Sequence, residues 1–320
     1  MTDARRRQRR AFKKHIRGLG LALIFQMAVM VAVVFIAMIV SAVGLLITHP
    51  GLSEHAFETQ ITDLSEQSGI PMILAVLLGF LPVLIYRRKR FFTEDLKATG
   101  EKITLKVVLI GFACVLGVNM LLTPLYVPAE WLLNRIGLTA APSEDVLGSA
   151  QTLSMFLYVG FIAPLFEEFL YRGVVLHSLL KFGKPFAIIG SALLFGLMHG
   201  NIVQIPLGIG IGLVLGYLAM KYSVWLTIIL HMANNLTTEL LSRMPDNLLS
   251  VLLYAAMFAA LITAVAVIWI RQRAQLAVTW HELRAVLPGK RLWLYFFTSI
   301  PMMILLLGDL IQAALGISRM

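Results

Sequence analysis

Pro164-Leu165-Phe166-Glu167-Glu168-Phe169-Leu170-Tyr171-Arg172-Gly173-Val174-Val175-Leu176 sets two acids and an arginine inside an apolar run. Leu179 and Leu180 follow before Lys181, the first plain interfacial anchor. At 1.5 Å per residue, Glu167 lies about 21 Å of continuous helix from Lys181. Ionisable residues at such depth are costly, face the protein interior and mark function by default. The plain alternative is a structural Glu-Arg pair with a spare surface Glu. Spacing separates the two acids. Glu168 and Arg172 are i and i+4 and share a face as an ion pair. Glu167 points about 100° away and is left to face a cavity, where a carboxyl suits proton transfer. Pro164 is a candidate kink one turn earlier, and Gly173 a point of loosening.

The rest of the chain gives this run its setting. Of 320 residues, 59% are hydrophobic and 14% charged, with a mean hydropathy of +0.84. A soluble domain is about 45–50% apolar and about 25% charged. The fold class is therefore an all-α polytopic membrane protein. Ordinary soluble enzymes, disulfide scaffolds and disordered chains are excluded. Cys114 is the single cysteine and has no partner in the chain. Apolar stretches near 18–47, 70–86, 103–127, 150–181, 185–200, 202–220, 224–243, 247–270 and 292–313 predict eight or nine crossings. The organisation expected is a basic cytoplasmic segment at 1–17, N-terminal spans at 18–149, a core at 150–243 and C-terminal spans at 244–320.

The net charge of +10 reads as topology rather than as nucleic-acid binding. Arg5, Arg6, Arg7, Arg9, Arg10, Lys13, Lys14 and Arg17 precede the first span. That segment reads as an anchor on an anionic leaflet, not as an RNA-binding arm. It is no secretory signal, because the apolar run behind it far exceeds the roughly 7–15 residues of an h-region. Lys and Arg recur at 87–102, 181–184, 221 and 271–291, whereas the loop at 48–69 has Glu54, Glu58, Asp63 and Glu66 and no base. The loop at 128–149 carries Arg135 against Glu130, Glu144 and Asp145. This positive-inside pattern predicts a cytoplasmic N-terminus in a multi-pass cell-membrane protein, with compact basic loops of bacterial type. No internal repeat is visible to support an inverted-repeat transporter.

Two further clusters carry buried polar groups. In Phe195-Gly196-Leu197-Met198-His199, His199 lies about 22 Å along a helix from Lys184. In His231-Met232-Ala233-Asn234-Asn235, His231 and Asn235 are i and i+4 on one face, with Asn235 about 21 Å from Lys221. Asn234 points elsewhere and is the weaker candidate. Glu239 continues the face of Asn235 one turn on, as a supporting partner or a residue of the outer mouth. A carboxyl, two imidazoles and an amide thus reach one depth from three helices. Interhelical glue would explain some such groups, but not an unpaired acid.

These residues resemble a known family. Glu-Glu-x-x-x-Arg at 167–172, Phe-x-x-x-His at 195–199 and His-x-x-x-Asn at 231–235 match, in order, the three motifs of the CPBP intramembrane endopeptidases. That family includes CAAX prenyl proteases and bacteriocin-processing, bacteriocin-immunity and abortive-infection relatives. The resemblance covers about 150–243. It implies a helical membrane fold and peptide hydrolysis within the bilayer. By position, Glu167 and His199 resemble the water-activating pair, His231 and Asn235 the oxyanion pair, and Glu168 and Arg172 the structural remainder.

The residue chemistry agrees. Hydrolysis needs a base for water, donors for the oxyanion and an acid for the leaving amine. Glu167 with His199 supplies the first, and Asn235 and His231 the second. No Ser or Cys stands in the motif positions, so a covalent nucleophile is disfavoured. Glu167, His199 and His231 are the ligand set if zinc is present; no His-Glu-x-x-His occurs, and a metal-free site with no cofactor is favoured. The expected partners are a membrane-associated protein or peptide substrate and the lipid bilayer, with no nucleic acid. A peptide precursor, pheromone or bacteriocin leader is the more natural substrate, since prenylated proteins are generally lacking in bacteria. The competing readings are a non-catalytic scaffold or immunity-type regulator and a proton-coupled transporter.

Overall fold

The computed structural model describes residues 3–97, 100–141, 150, 152–245, 247–285, 287 and 289–320. Glu144 and Asp145, read above as part of a loop, lie outside them, as do the side chains of Arg5, Glu66 and Arg284. The chain is built from helices, joined by one short antiparallel pair, β1 (Leu138–Thr139) and β2 (Ser318–Arg319). In order the helices are α1 (Asp3–Thr48), α2 (Glu54–Gln67), α3 (Gly69–Gly79), α4 (Leu81–Arg87), α5 (Leu105–Leu122) and α6 (Tyr126–Asn134). There follow α7 (Leu153–Phe182), α8 (Lys184–Leu197), α9 (Gln204–Lys221), α10 (Val224–Ser242), α11 (Leu248–Ala285), α12 (Lys290–Phe297) and α13 (Ile300–Leu315).

All nine apolar stretches fall on helices. Among the described residues, five helical runs are long and apolar enough to cross a membrane: Arg6–Thr48, Gly69–Arg87, Leu105–Asn134, Leu153–Phe182 and Gln204–Lys221. α8 and Leu248–Ala264 are shorter apolar helices. α10 is diluted by His231, Asn234, Asn235 and Glu239. The stretch at 292–313 is not one straight span, because α12 and α13 meet at 75°. Pro301 in the first turn of α13 cannot donate to a helix continuing from α12. α1 runs from Asp3 through the basic segment into the apolar run without a break.

The basic segments at 1–17, 87–102, 181–184 and 221 share one end of the molecule with the start of α12. Phe12 of α1 meets Phe182 at 4.5 Å, and Phe186 meets Trp293 at 4.7 Å. Glu101 N–H donates to Lys221 O at 2.8 Å, and Trp225 Nε1 to Leu96 O at 3.1 Å. Arg87 and Asp95 form a buried pair there, through Nε at 2.6 Å and through Nη2. The opposite end joins Gly69 N–H to Ser154 Oγ at 3.1 Å and carries the β1–β2 pair.

The main core lies between α1, α7, α8 and α13, with Ile16, Leu19, Tyr171, Val174, Phe186, Phe195, Met302 and Leu305 buried in it. A second cluster joins α5, α9 and α10 through Val115, Leu215, Leu226 and Leu230. α8 and α9 cross with their backbones in contact. A Cβ on Gly196 would sit 2.8 Å from Ile205 O and Ile209 N, so only glycine permits that approach.

Candidate active site

Three elements converge at the polar residues, and local helix geometry aims them. α7 is not uniform. It is α-helical at Ala163–Glu168 and π-helical at Tyr158–Ile162 and Phe169–Val175. The wide turn before Pro164 absorbs the missing N–H, so the expected kink becomes a π segment. The second π segment follows the two glutamates directly, and a π-bulge is frequent at functional positions.

The ion pair between Glu168 and Arg172 is present, with Oε1 2.9 Å from Nη1 and both side chains fully buried. The Arg172 guanidinium also lies 4.1 Å from the centre of the Phe195 ring. The same Glu168 oxygen meets His231 Nδ1 at 2.9 Å. His231 is thereby fixed from behind, and its Nε2 faces Glu167 Oε2 at 3.7 Å. Glu167 is 22% exposed where Glu168 is 0%. One acid is sealed in and the other reaches open space, as the spacing predicted.

His199 stands on the turn just beyond α8 rather than inside the helix. Gly200, at φ +54, ends the helix there, a left-handed conformation glycine takes without strain. His199 Nδ1 meets Phe195 O at 2.9 Å, and among the described residues no hydrogen bond reaches its Nε2. The expected partnership of Glu167 with His199 is not a direct contact, since the close approach of Glu167 is to His231. Asn235 Nδ2 donates to Val159 O at 3.1 Å, in the first π segment, and keeps a second N–H for another acceptor. Glu239 is remote from this constellation. It pairs with Arg243 at 2.7 Å and accepts from Ala150 N–H at 3.0 Å.

Several contributors escaped the sequence reading. Phe195 was quoted only as part of a motif. Its ring is the hub, edge-on to His199 at 5.1 Å, His231 at 5.6 Å and Tyr171 at 5.4 Å. Asn234, set aside as the weaker amide, donates to Asn235 Oδ1 and accepts from Asn119 Nδ2, both at 3.3 Å. Asn119 on α5 carried no motif to reveal it. Asp309, 3% exposed on the buried stripe of α13 with Met302, Leu305 and Leu306, is a further carboxyl inside an apolar run. Its signal was present in Leu307-Gly308-Asp309-Leu310, an ionisable residue in a span.

Among the described residues, no three His, Cys, Asp or Glu side chains gather as a metal-holding set. Nδ1 is engaged in both histidines, by Phe195 O and by Glu168, which fixes each ring and turns its Nε2 outward.

Fold and site together define a polytopic membrane protein with a buried Glu-His-Asn centre. Residues 149–237 match the family model described as type II CAAX prenyl endopeptidase Rce1-like, which is consistent with the CPBP resemblance. No curated protein and no solved structure matches the chain.

Proposed function

We propose that the protein is an intramembrane endopeptidase that cleaves membrane-associated proteins or peptides with water activated by Glu167. The observation that carries this reading is the pairing of an accessible acid with a braced imidazole. Glu167 Oε2 faces His231 Nε2 at 3.7 Å, while the buried Glu168–Arg172 pair holds the other side of the ring.

In the proposed reaction Glu167 takes a proton from a water that His199 helps to orient through its Nε2. The hydroxide attacks the peptide carbonyl. The oxyanion receives hydrogen bonds from the spare Asn235 N–H and from His231 Nε2–H. His231 gives its Nδ1–H to Glu168, so donation from Nε2 requires the ring to carry both protons. The proton on Glu167 then passes to the departing amine as the C–N bond breaks. These four residues supply base, donors and acid without a Lewis acid, and we read the reaction as metal-independent. The basic end of the molecule is read as cytoplasmic, with the N-terminus inside a bacterial cell membrane. A peptide precursor is the favoured substrate class.

The test is quantitative proteomics of membranes from cells carrying wild type or Glu167→Ala at equal expression. Precursors should accumulate and their cleaved forms disappear in the variant. Identical membrane peptide profiles, with a phenotype retained by the variant, would leave the non-catalytic scaffold as the better reading.

A further inference from the structure

Arg6, Arg9, Arg10 and Lys13 follow one another at i, i+3, i+4 and i+7, so α1 sets them in a single stripe. They line a concavity of about 410 Å³ at the basic end of the molecule. The flank of these turns next to the stripe is locked into the protein. Phe12 is 3% exposed and packs on Phe182 and Phe186, and Ile16 and Leu19 below it are fully buried. Tyr295 of α12 braces the stripe from the side. Its ring centre is 4.9 Å from the Arg9 guanidinium and 5.2 Å from the Lys13 ammonium. Among the described side chains, no carboxylate pairs with any of the four. The helix backbone that carries the cluster is anchored, and Arg9 and Lys13 are braced, while the four side chains stay exposed.

Its level in the bilayer follows from the aromatic residues beside it. Trp293 stacks on Phe297 at 5.8 Å and lies against Phe186, and such rings collect at the headgroup boundary. Lys13 adjoins Phe12 at that level, and Arg9 is one turn further toward the aqueous side. In the apolar direction the i+4 row continues from Lys13 through Arg17 to Leu21 and Phe25, both exposed. A cationic pocket above an open apolar strip has the two halves of a phospholipid in order.

We infer that the concavity binds the phosphate of an anionic phospholipid in the leaflet at this end, with an acyl chain along Leu21 and Phe25. Guanidinium groups pair with phosphate oxygens bidentately, and here that of Arg9 is held against Tyr295. The inference does not depend on the proteolytic reading.

Native mass spectrometry of the purified, delipidated full chain tests it, by titration with phosphatidylglycerol or phosphatidylcholine at physiological ionic strength. The wild type should hold one phosphatidylglycerol at least about tenfold more tightly than phosphatidylcholine. Arg6→Gln/Arg9→Gln/Arg10→Gln/Lys13→Gln should abolish the preference. Removing as many charges elsewhere, in Lys89→Gln/Arg90→Gln/Lys97→Gln/Lys102→Gln, should preserve it. Tyr295→Leu, which removes the brace and no charge, should weaken it and decides the matter if the quadruple variant does not fold. Equal retention of both lipids by wild type, or undiminished preference in the quadruple and Tyr295 variants, overturns the inference. Displacement of phosphatidylglycerol by an equal concentration of inorganic phosphate assigns the pocket to free phosphate instead, and displacement by a single-stranded RNA assigns it to nucleic acid.

Discussion

α8 and α11 are both apolar helices, yet they meet opposite surroundings. α8 buries Phe186, Ala187, Gly190, Ser191, Ala192, Leu194, Phe195 and Gly196 against its neighbours. α11 leaves Leu248, Leu249, Val251, Leu252, Leu253 and Ile262 exposed, and its packing is chiefly against α5, where Leu261 approaches Gly117. Apolarity puts both in the membrane and does not tell them apart. Their content of Ala and Ser does not either; glycine does. Lipid solvates Leu as well as protein does, so helices associate where the smallest residues let backbones approach. α8 carries Gly190 and Gly196, the latter against the α9 backbone, whereas α11 has no glycine and leaves bulky side chains exposed.

Substitutions in the two regions should therefore differ in kind. The largest effect is expected at Glu167. Glu167→Gln keeps the shape and removes the base, which should lower cleavage about 10²–10⁴-fold with insertion and accumulation unchanged. Cleavage near the wild-type rate would remove Glu167 from its role. Arg172→Ala comes next, because it leaves the fully buried Glu168 with His231 alone to offset its charge. A stability loss of about 3–5 kcal/mol is expected, measured as thermal unfolding in detergent, with lower expression and activity. An inactive but fully stable variant would place Arg172 on the substrate instead.

Asn235→Ala removes one proposed oxyanion donor and should reduce turnover about 10²–10³-fold with little change in substrate affinity. The same preparations allow the metal question to be put. Prolonged chelation should leave activity intact, and elemental analysis should find no stoichiometric metal. One zinc per chain, lost with activity and restored by adding zinc, would make Glu167, His199 and His231 the ligands.

The smallest effects sharpen the contrast between the helices. Gly196→Ala forces a methyl against the α9 backbone and should destabilise by about 1–3 kcal/mol. Leu252→Ala on the exposed face of α11 should change stability by less than about 0.5 kcal/mol. Equal losses in the two would mean that α11 is covered by protein after all.

Much of the site was legible in one dimension. The i,i+4 relation paired Glu168 with Arg172 and separated Glu167 from them; the separation holds because both acids lie in the regular α-helix Ala163–Glu168, and the pair closes although Arg172 lies in the π segment that follows. Depth counting from Lys181, Lys184 and Lys221 drew three segments to one level, since helical rise converts residue number into distance. What depended on contacts between helices was not legible. A helical wheel says which way His231 points, but not that Glu168 holds its Nδ1 while Glu167 faces its Nε2. Phe195 could be any aromatic core residue until four partners are seen around its ring. The bend between α12 and α13 was hidden because hydropathy has no direction. Composition determined that this chain lives in a membrane, and spacing determined which polar groups share a helix face. Which nitrogen meets which carboxylate, and which apolar face meets lipid, were decided only by tertiary packing, because those relations join residues that no local periodicity connects.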